Sequence, residues 1–235
     1  MGGQTFAKYI TTTQTETQQA TVAKWGFVAS INATGMFKDK YATDTEPADG
    51  EDDGVSVKAS EAKVAPGTSG SMKIVFSGSA ETDAKVTFNT TGTWSDVYLS
   101  DGSKTYYPVK WTLQDGTKTP EVKNGTLADV KTALEENSGY YNAGDDAIGK
   151  DYTLSWVWDF NVAGNIEVKN FATTADQTDV LSYDEADTRL GLIANDASAA
   201  SFTYKPAGSD TETTDKYTCG LAINFSLQIT IEQVD

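Results

Sequence analysis

Three observations predict an all-β fold: a jelly-roll-like antiparallel β-sandwich with two or so short helices in its connections and an extended N-terminal arm. First, the run Tyr217 to Ile231 alternates between apolar and polar residues. Tyr217, Cys219, Leu221, Ile223, Phe225, Leu227, Ile229 and Ile231 share one side. Such alternation puts every large apolar group on one face of a strand, against a core. At about 3.3 Å per residue the run would reach roughly 50 Å, so a bend near Gly220 is expected. Second, short β-prone stretches recur between turn signals along the chain. Third, the many Thr, Tyr, Trp, Val and Phe residues favour strands.

In chain order, residues 1–19 read as an arm: a β-prone patch containing Phe6, Ala7, Tyr9 and Ile10, then the polar spacer Thr11 to Gln19. A single domain is expected over residues 20–235. Its first strand places Ala23, Trp25, Phe27, Ala29 and Ile31 on one face. Residues 38–54 break the pattern, with seven carboxylates around Pro47, Gly50 and Gly54, and read as a surface loop. Strands follow near Val55, around Ser71–Ser77, over Glu81–Asn89, Trp94–Leu99 and Thr105–Leu113. Pro66-Gly67 and Asp101-Gly102 mark reversals. Pro108 predicts an edge or a bulge in its strand.

Thr126-Leu127-Ala128-Asp129 has capping-box character and opens a helix over 127–136, with Leu127, Val130 and Leu134 facing the sheet and Gly139 at its end. Tyr152, Leu154, Trp156, Trp158 and Phe160 share one side of the next strand. Val180, Tyr183, Leu190 and Ile193 predict a second helix over 179–194. A polar loop, 206–216, leads to the final strand.

Composition narrows the function. The chain has 34 acidic and 18 basic residues, a net charge of −16, and Arg189 as its single arginine. That surface repels phosphate backbones and anionic lipid heads, so no nucleic-acid partner is expected. No apolar run approaches the roughly 20 residues that span a bilayer. Gly2, Gly3 and Gln4 follow Met1 directly, which reads as an intracellular chain or a mature form without its leader. Histidine is absent. A Ser-His-Asp triad and an H-E-x-x-H zinc site are therefore excluded. Cys219 is single and reads as a buried thiol.

Several features invite a chemical reading and also have a plainer one. The acidic loop 39–54 suits calcium, but the D-x-[DN]-x-[DN]-G spacing is missing, so a solvated loop is the expectation and no cofactor is assigned. Asp145, Asp146 and Asp151 take the same reading. Carboxylate pairs would permit a hydrolase, yet with 34 acidic residues some pair is always available. Trp156 and Trp158 read as core, while Tyr106, Tyr107 and Trp111 beside Pro108 are candidates for a binding platform. The N-x-[ST] sequons at Asn32, Asn89, Asn124 and Asn224 are no more than a Thr-rich chain supplies by chance.

Thr5-Phe6-Ala7-Lys8-Tyr9-Ile10, the Thr-rich spacer and Ala20-Thr21-Val22-Ala23-Lys24-Trp25-Gly26 resemble the mature start of the TasA/camelysin family, secreted proteins of Gram-positive bacteria. Val64 to Ser71, Tyr107-Pro108-Val109-Lys110-Trp111, Gly125 to Val130 and the Trp156–Phe160 strand match in the same order. The resemblance implies a jelly-roll subunit of extracellular fibres, secreted or at the cell surface, in which the arm of one subunit completes the sheet of the next. Its donor strand would be Thr5, Phe6, Ala7, Lys8, Tyr9 and Ile10, its partners copies of itself head to tail and other matrix components, and its role non-enzymatic. Some members have been labelled metalloproteases; without histidine no such activity is expected here. The recipient edge is expected beside Tyr106–Leu113. The alternative is a monomeric secreted carbohydrate-binding or adhesin module working through exposed tryptophans.

Overall fold

The computed structural model describes residues 26–37, 40–41, 55–56, 62–78, 80–116, 118–144, 151–160, 162–172, 179–206 and 209–234. Every strand pairing among them is antiparallel, and the fold is all-β, with two α-helices among the described residues. In chain order the strands are β1 (Val28–Asn32), β2 (Lys40–Tyr41), β3 (Val55–Ser56), β4 (Ser69–Ser77), β5 (Ala84–Asn89), β6 (Tyr98–Ser100), β7 (Thr105–Tyr106), β8 (Val109–Asp115) and β9 (Val122–Gly125). After helix α1 (Leu127–Glu136) come β10 (Gly139–Tyr141), β11 (Tyr152–Trp158), β12 (Asn165–Lys169) and β13 (Val180–Ser182). Helix α2 (Tyr183–Asn195) precedes β14 (Ser201–Tyr204), β15 (Thr213–Lys216), β16 (Thr218–Gly220) and β17 (Gln228–Gln233).

The main sheet has the order β1-β4-β11-β8-β9, and a second runs β10-β5-β17. Alternation sets which face is buried. Along β11, Tyr152, Leu154, Trp156 and Trp158 are buried, and along β8 Val109, Trp111 and Leu113 are fully so. The second sheet contributes Ala84, Val86 and Phe88 from β5. Aromatic edges lock the layers together: Phe88 lies 5.6 Å from Tyr152 and 6.1 Å from Phe76, nearly perpendicular to both. Helix α1 seats Leu127, Val130 and Leu134 on this core, opened by the predicted Thr126/Asp129 capping box.

Several expectations need correction. Pro108, which lacks an amide hydrogen, ends β7, and the chain re-enters as β8 in a different sheet, between β11 and β9. The strand after Pro108 is therefore interior and offers no recipient edge. Strand β11 stops at Trp158, whose N–H and C=O bond Thr68 and Gly67; Phe160 lies beyond the ladder and is 67% exposed. Helix α2 begins at Tyr183, because Ser182 and Glu185 form their own capping box, and Val180 belongs to β13. Gly139 starts β10 rather than ending α1. The polar loop 206–216 contains β15, hairpin partner of β14.

One glycine is demanded by close approach. A Cβ on Gly70 would sit 2.1 Å from the Met36 carbonyl oxygen and 2.6 Å from Trp156 Nε1, which itself donates to that carbonyl at 2.9 Å. Gly70→Ala is expected to cost at least about 2 kcal/mol, because both obstacles belong to the core. Urea titration reads this directly; a change within about 0.5 kcal/mol would contradict the packing.

Candidate subunit interface

The C-terminal segment was expected to be one strand buried along a whole face. It is instead two strands joined by an extended stretch, and only half-buried. Strand β16 pairs with β6 and stops at Gly220, where a Cβ would meet the Asp96 carbonyl oxygen at 2.4 Å. Over residues 221–227 the strand-type backbone pairing is reduced to a single bridge, in which Ser95 and Asn224 exchange N–H···O bonds of 2.8 and 2.9 Å. Strand β17 then pairs with β5 from Gln228↔Asn89 to Gln233↔Ala84.

All of these pairings lie on one flank. Among the described residues no strand is hydrogen-bonded to the other flank of 218–233, so β17 is the edge of its sheet. The burial pattern follows. Ile223, Phe225, Leu227, Ile229 and Ile231 pack against the core but are only half-buried, and Leu221 is 45% exposed. Cys219 is likewise half-buried rather than buried, and burial pushes its thiol upward. Strand β1, the edge of the main sheet, comes alongside β17. It also exposes apolar groups, Val28 at 56% and Ile31 at 40%. Ile31 was expected in the core.

An aromatic stack backs this edge. Phe225 packs 5.6 Å from Trp94 and 6.1 Å from Trp111. Trp111 is fully buried, and its Nε1 donates to Asp96 Oδ2 at 3.1 Å, as does the Leu127 amide at 3.0 Å. Asp96 Oδ1 accepts from Val97 N at 2.9 Å. Burial raises the Asp96 carboxyl even against these three donors. A second carboxylate, the half-buried Asp187, accepts from Tyr106 Oη and Trp158 Nε1, each at 3.0 Å, and burial raises it too. Neither residue was singled out from the sequence. A signal existed for Asp187, four positions after Tyr183 and three before Leu190, on the inward side of α2.

The donor strand Thr5, Phe6, Ala7, Lys8, Tyr9 and Ile10 lies outside the described residues, as do Asp145 and Asp146 and all of the acidic loop 39–54 except Lys40–Tyr41. Asp151 is described, and its Oδ1 accepts from Phe76 N at 3.4 Å. Trp111, Trp156 and Trp158 are buried, so they present no face to a ligand; Tyr106 is buried as well, and Tyr107 half-buried. Among the described residues no group of three or more Cys, Asp or Glu side chains could hold a metal ion. No helix among them is long and apolar enough to cross a membrane.

Comparison with protein-family models, curated proteins and solved structures found no match to this chain.

Proposed function

We propose that the chain is a structural subunit of an extracellular filament, polymerising by donation of Thr5–Ile10 to the C-terminal edge of the next subunit. The observation that carries this reading is that among the described residues no strand pairs with the outer flank of 218–233, where Ile223, Phe225, Leu227, Ile229 and Ile231 are only half-buried. An edge of that kind is a template for strand addition. A donated strand would satisfy its backbone groups and cover Ile223, Phe225, Leu227 and Ile229 together. Burying Phe6, Tyr9 and Ile10 would contribute roughly 1.5–3 kcal/mol each before ordering costs. Arm-to-edge contact is head-to-tail, so it propagates unless its rotation closes. The order of segments resembling the fibre-forming TasA/camelysin family supports the same reading, and the net charge of −16 would keep filaments apart until cations bridge them.

Negative-stain microscopy of the concentrated full chain tests the proposal, alongside a variant lacking residues 2–12. The full chain is expected to form filaments. The variant is expected to remain folded by near-ultraviolet circular dichroism and to sediment as a monomer. Filaments from the variant, or a full chain that stays monomeric at about 1 mM, would overturn it.

A further inference from the structure

Away from that edge, the β6–β7 turn, the β9–α1 junction and β12 enclose a cleft of about 440 Å³. That volume falls within the range of small-molecule sites, about 300–1,000 Å³. Tyr107, Lys110, Asn124, Asn165 and Tyr183 line it. The tyrosines and the lysine are half-buried, and the asparagines are exposed at its rim. Asn124 holds a backbone φ of 54°, in the left-handed region that few residues other than glycine adopt.

The unspent hydrogen-bonding groups of this cleft select its ligand. Among the described residues, the hydroxyls of Tyr107 and Tyr183 and the side-chain amides of Asn124 and Asn165 have no hydrogen-bond partner. Lys110 Nζ uses one donor, on the Tyr107 carbonyl at 2.6 Å. A small anion would need converging free cations, and Lys104, the other lysine of the lining, is paired with Glu167. The adjoining helix N-terminus is closed by its own capping box. An apolar ligand would bury amides and phenols without partners, at a cost. Phenols and carboxamides both donate and accept, as a ring of sugar hydroxyls does, and tyrosine rings offer faces for sugar C–H groups.

We propose that this cleft binds a neutral oligosaccharide segment, with Tyr107 and Tyr183 against the sugar faces and Asn124, Asn165 and Lys110 bonding its hydroxyls. This site is independent of the strand-donation edge, so either reading can fail while the other stands.

Isothermal titration of the full chain with cellohexaose, mannohexaose and laminarihexaose, and with sulfate as an anion control, tests it. At least one hexaose is expected to bind saturably. Tyr107→Ala should weaken that binding about tenfold and Asn165→Ala about threefold, on the scale of one lost stacking contact or one hydrogen bond. Asn165 is exposed, so its variant remains informative if Tyr107→Ala fails to fold. No hexaose binding up to about 10 mM would overturn the proposal. So would binding of sulfate alone, or hexaose affinity unchanged in both variants.

Discussion

Asp96→Ala is expected to destabilise the fold by about 3–5 kcal/mol, more than any other polar substitution in the described residues, because it strips buried N–H groups of their acceptor. Trp111 Nε1 and the Leu127 amide both end on Asp96 Oδ2, and both residues are essentially solvent-free. The first belongs to β8 and the second to the first turn of α1, so one carboxylate ties the helix to the main sheet. Its neighbour Ser95 holds the bridge to Asn224, and its own carbonyl abuts Gly220. Loss of Asp96 should therefore loosen the C-terminal edge as well. Urea unfolding monitored by tryptophan fluorescence measures the effect, and a loss below about 1 kcal/mol would mean that water replaces the carboxylate.

The pH dependence gives a second reading of the same group. Burial raises the Asp96 carboxyl above its ordinary value of 3.8. The folded chain then holds this proton more tightly than the unfolded chain does, so ionisation costs folding free energy. That contribution is fully present below the unfolded value and is lost as pH rises through the folded one. Relative to Asp96→Asn, which cannot titrate, wild-type stability is expected to increase as pH falls from neutral toward 3.8. A pH-independent difference between the two proteins would contradict the assignment.

Much of the scaffold was readable because local patterns and tertiary packing agree. Thr126 and Asp129 define the start of α1, and Leu127, Val130 and Leu134 recur on the face that seats on the core. The alternation of β11 identifies its buried face up to Trp158. Extending it to Phe160 fails because the Ala65–Thr68 turn, distant in sequence, pins the strand end at Trp158. The misplaced start of α2 has a local cause: Val180 falls at helical spacing from Tyr183, yet Ser182 and Glu185 carry the stronger signal, a complete capping box. The C-terminal run is the instructive case. Its alternation correctly separates an apolar side, but how far that side is covered depends on whether a second strand lies beside it. Neighbours are a property of topology, which period-two patterning does not encode. The β-prone character of Thr5–Ile10 was legible in the sequence, whereas the unpaired outer flank of 218–233 was not. The cleft beside β12 was equally hidden, because Tyr107, Asn124 and Asn165 come together only in the fold.

Charging the open edge is expected to abolish assembly without unfolding the subunit. Leu221 is 45% exposed and Ile31 is 40% exposed, so lysines there can extend into water at a folding cost within about 0.5 kcal/mol each. In a filament both positions would lie against the donated strand or beside it. Lysine there places a desolvated charge in a sheet interface, the device by which natural edges resist pairing. The double variant Leu221→Lys/Ile31→Lys should therefore show no filaments, with a thermal midpoint within a few degrees of wild type. A complementary experiment supplies the arm in trans. A synthetic peptide of residues 3–12, added to the chain lacking residues 2–12, should bind the vacated edge and raise its thermal midpoint, by about 2.7 kcal/mol of stabilisation at a hundredfold excess over its dissociation constant. The same peptide should leave the double-lysine edge unaffected. Filaments from the double variant at wild-type concentration would move the recipient site elsewhere, and stabilisation of both edges alike would show that the peptide pairs with some other strand.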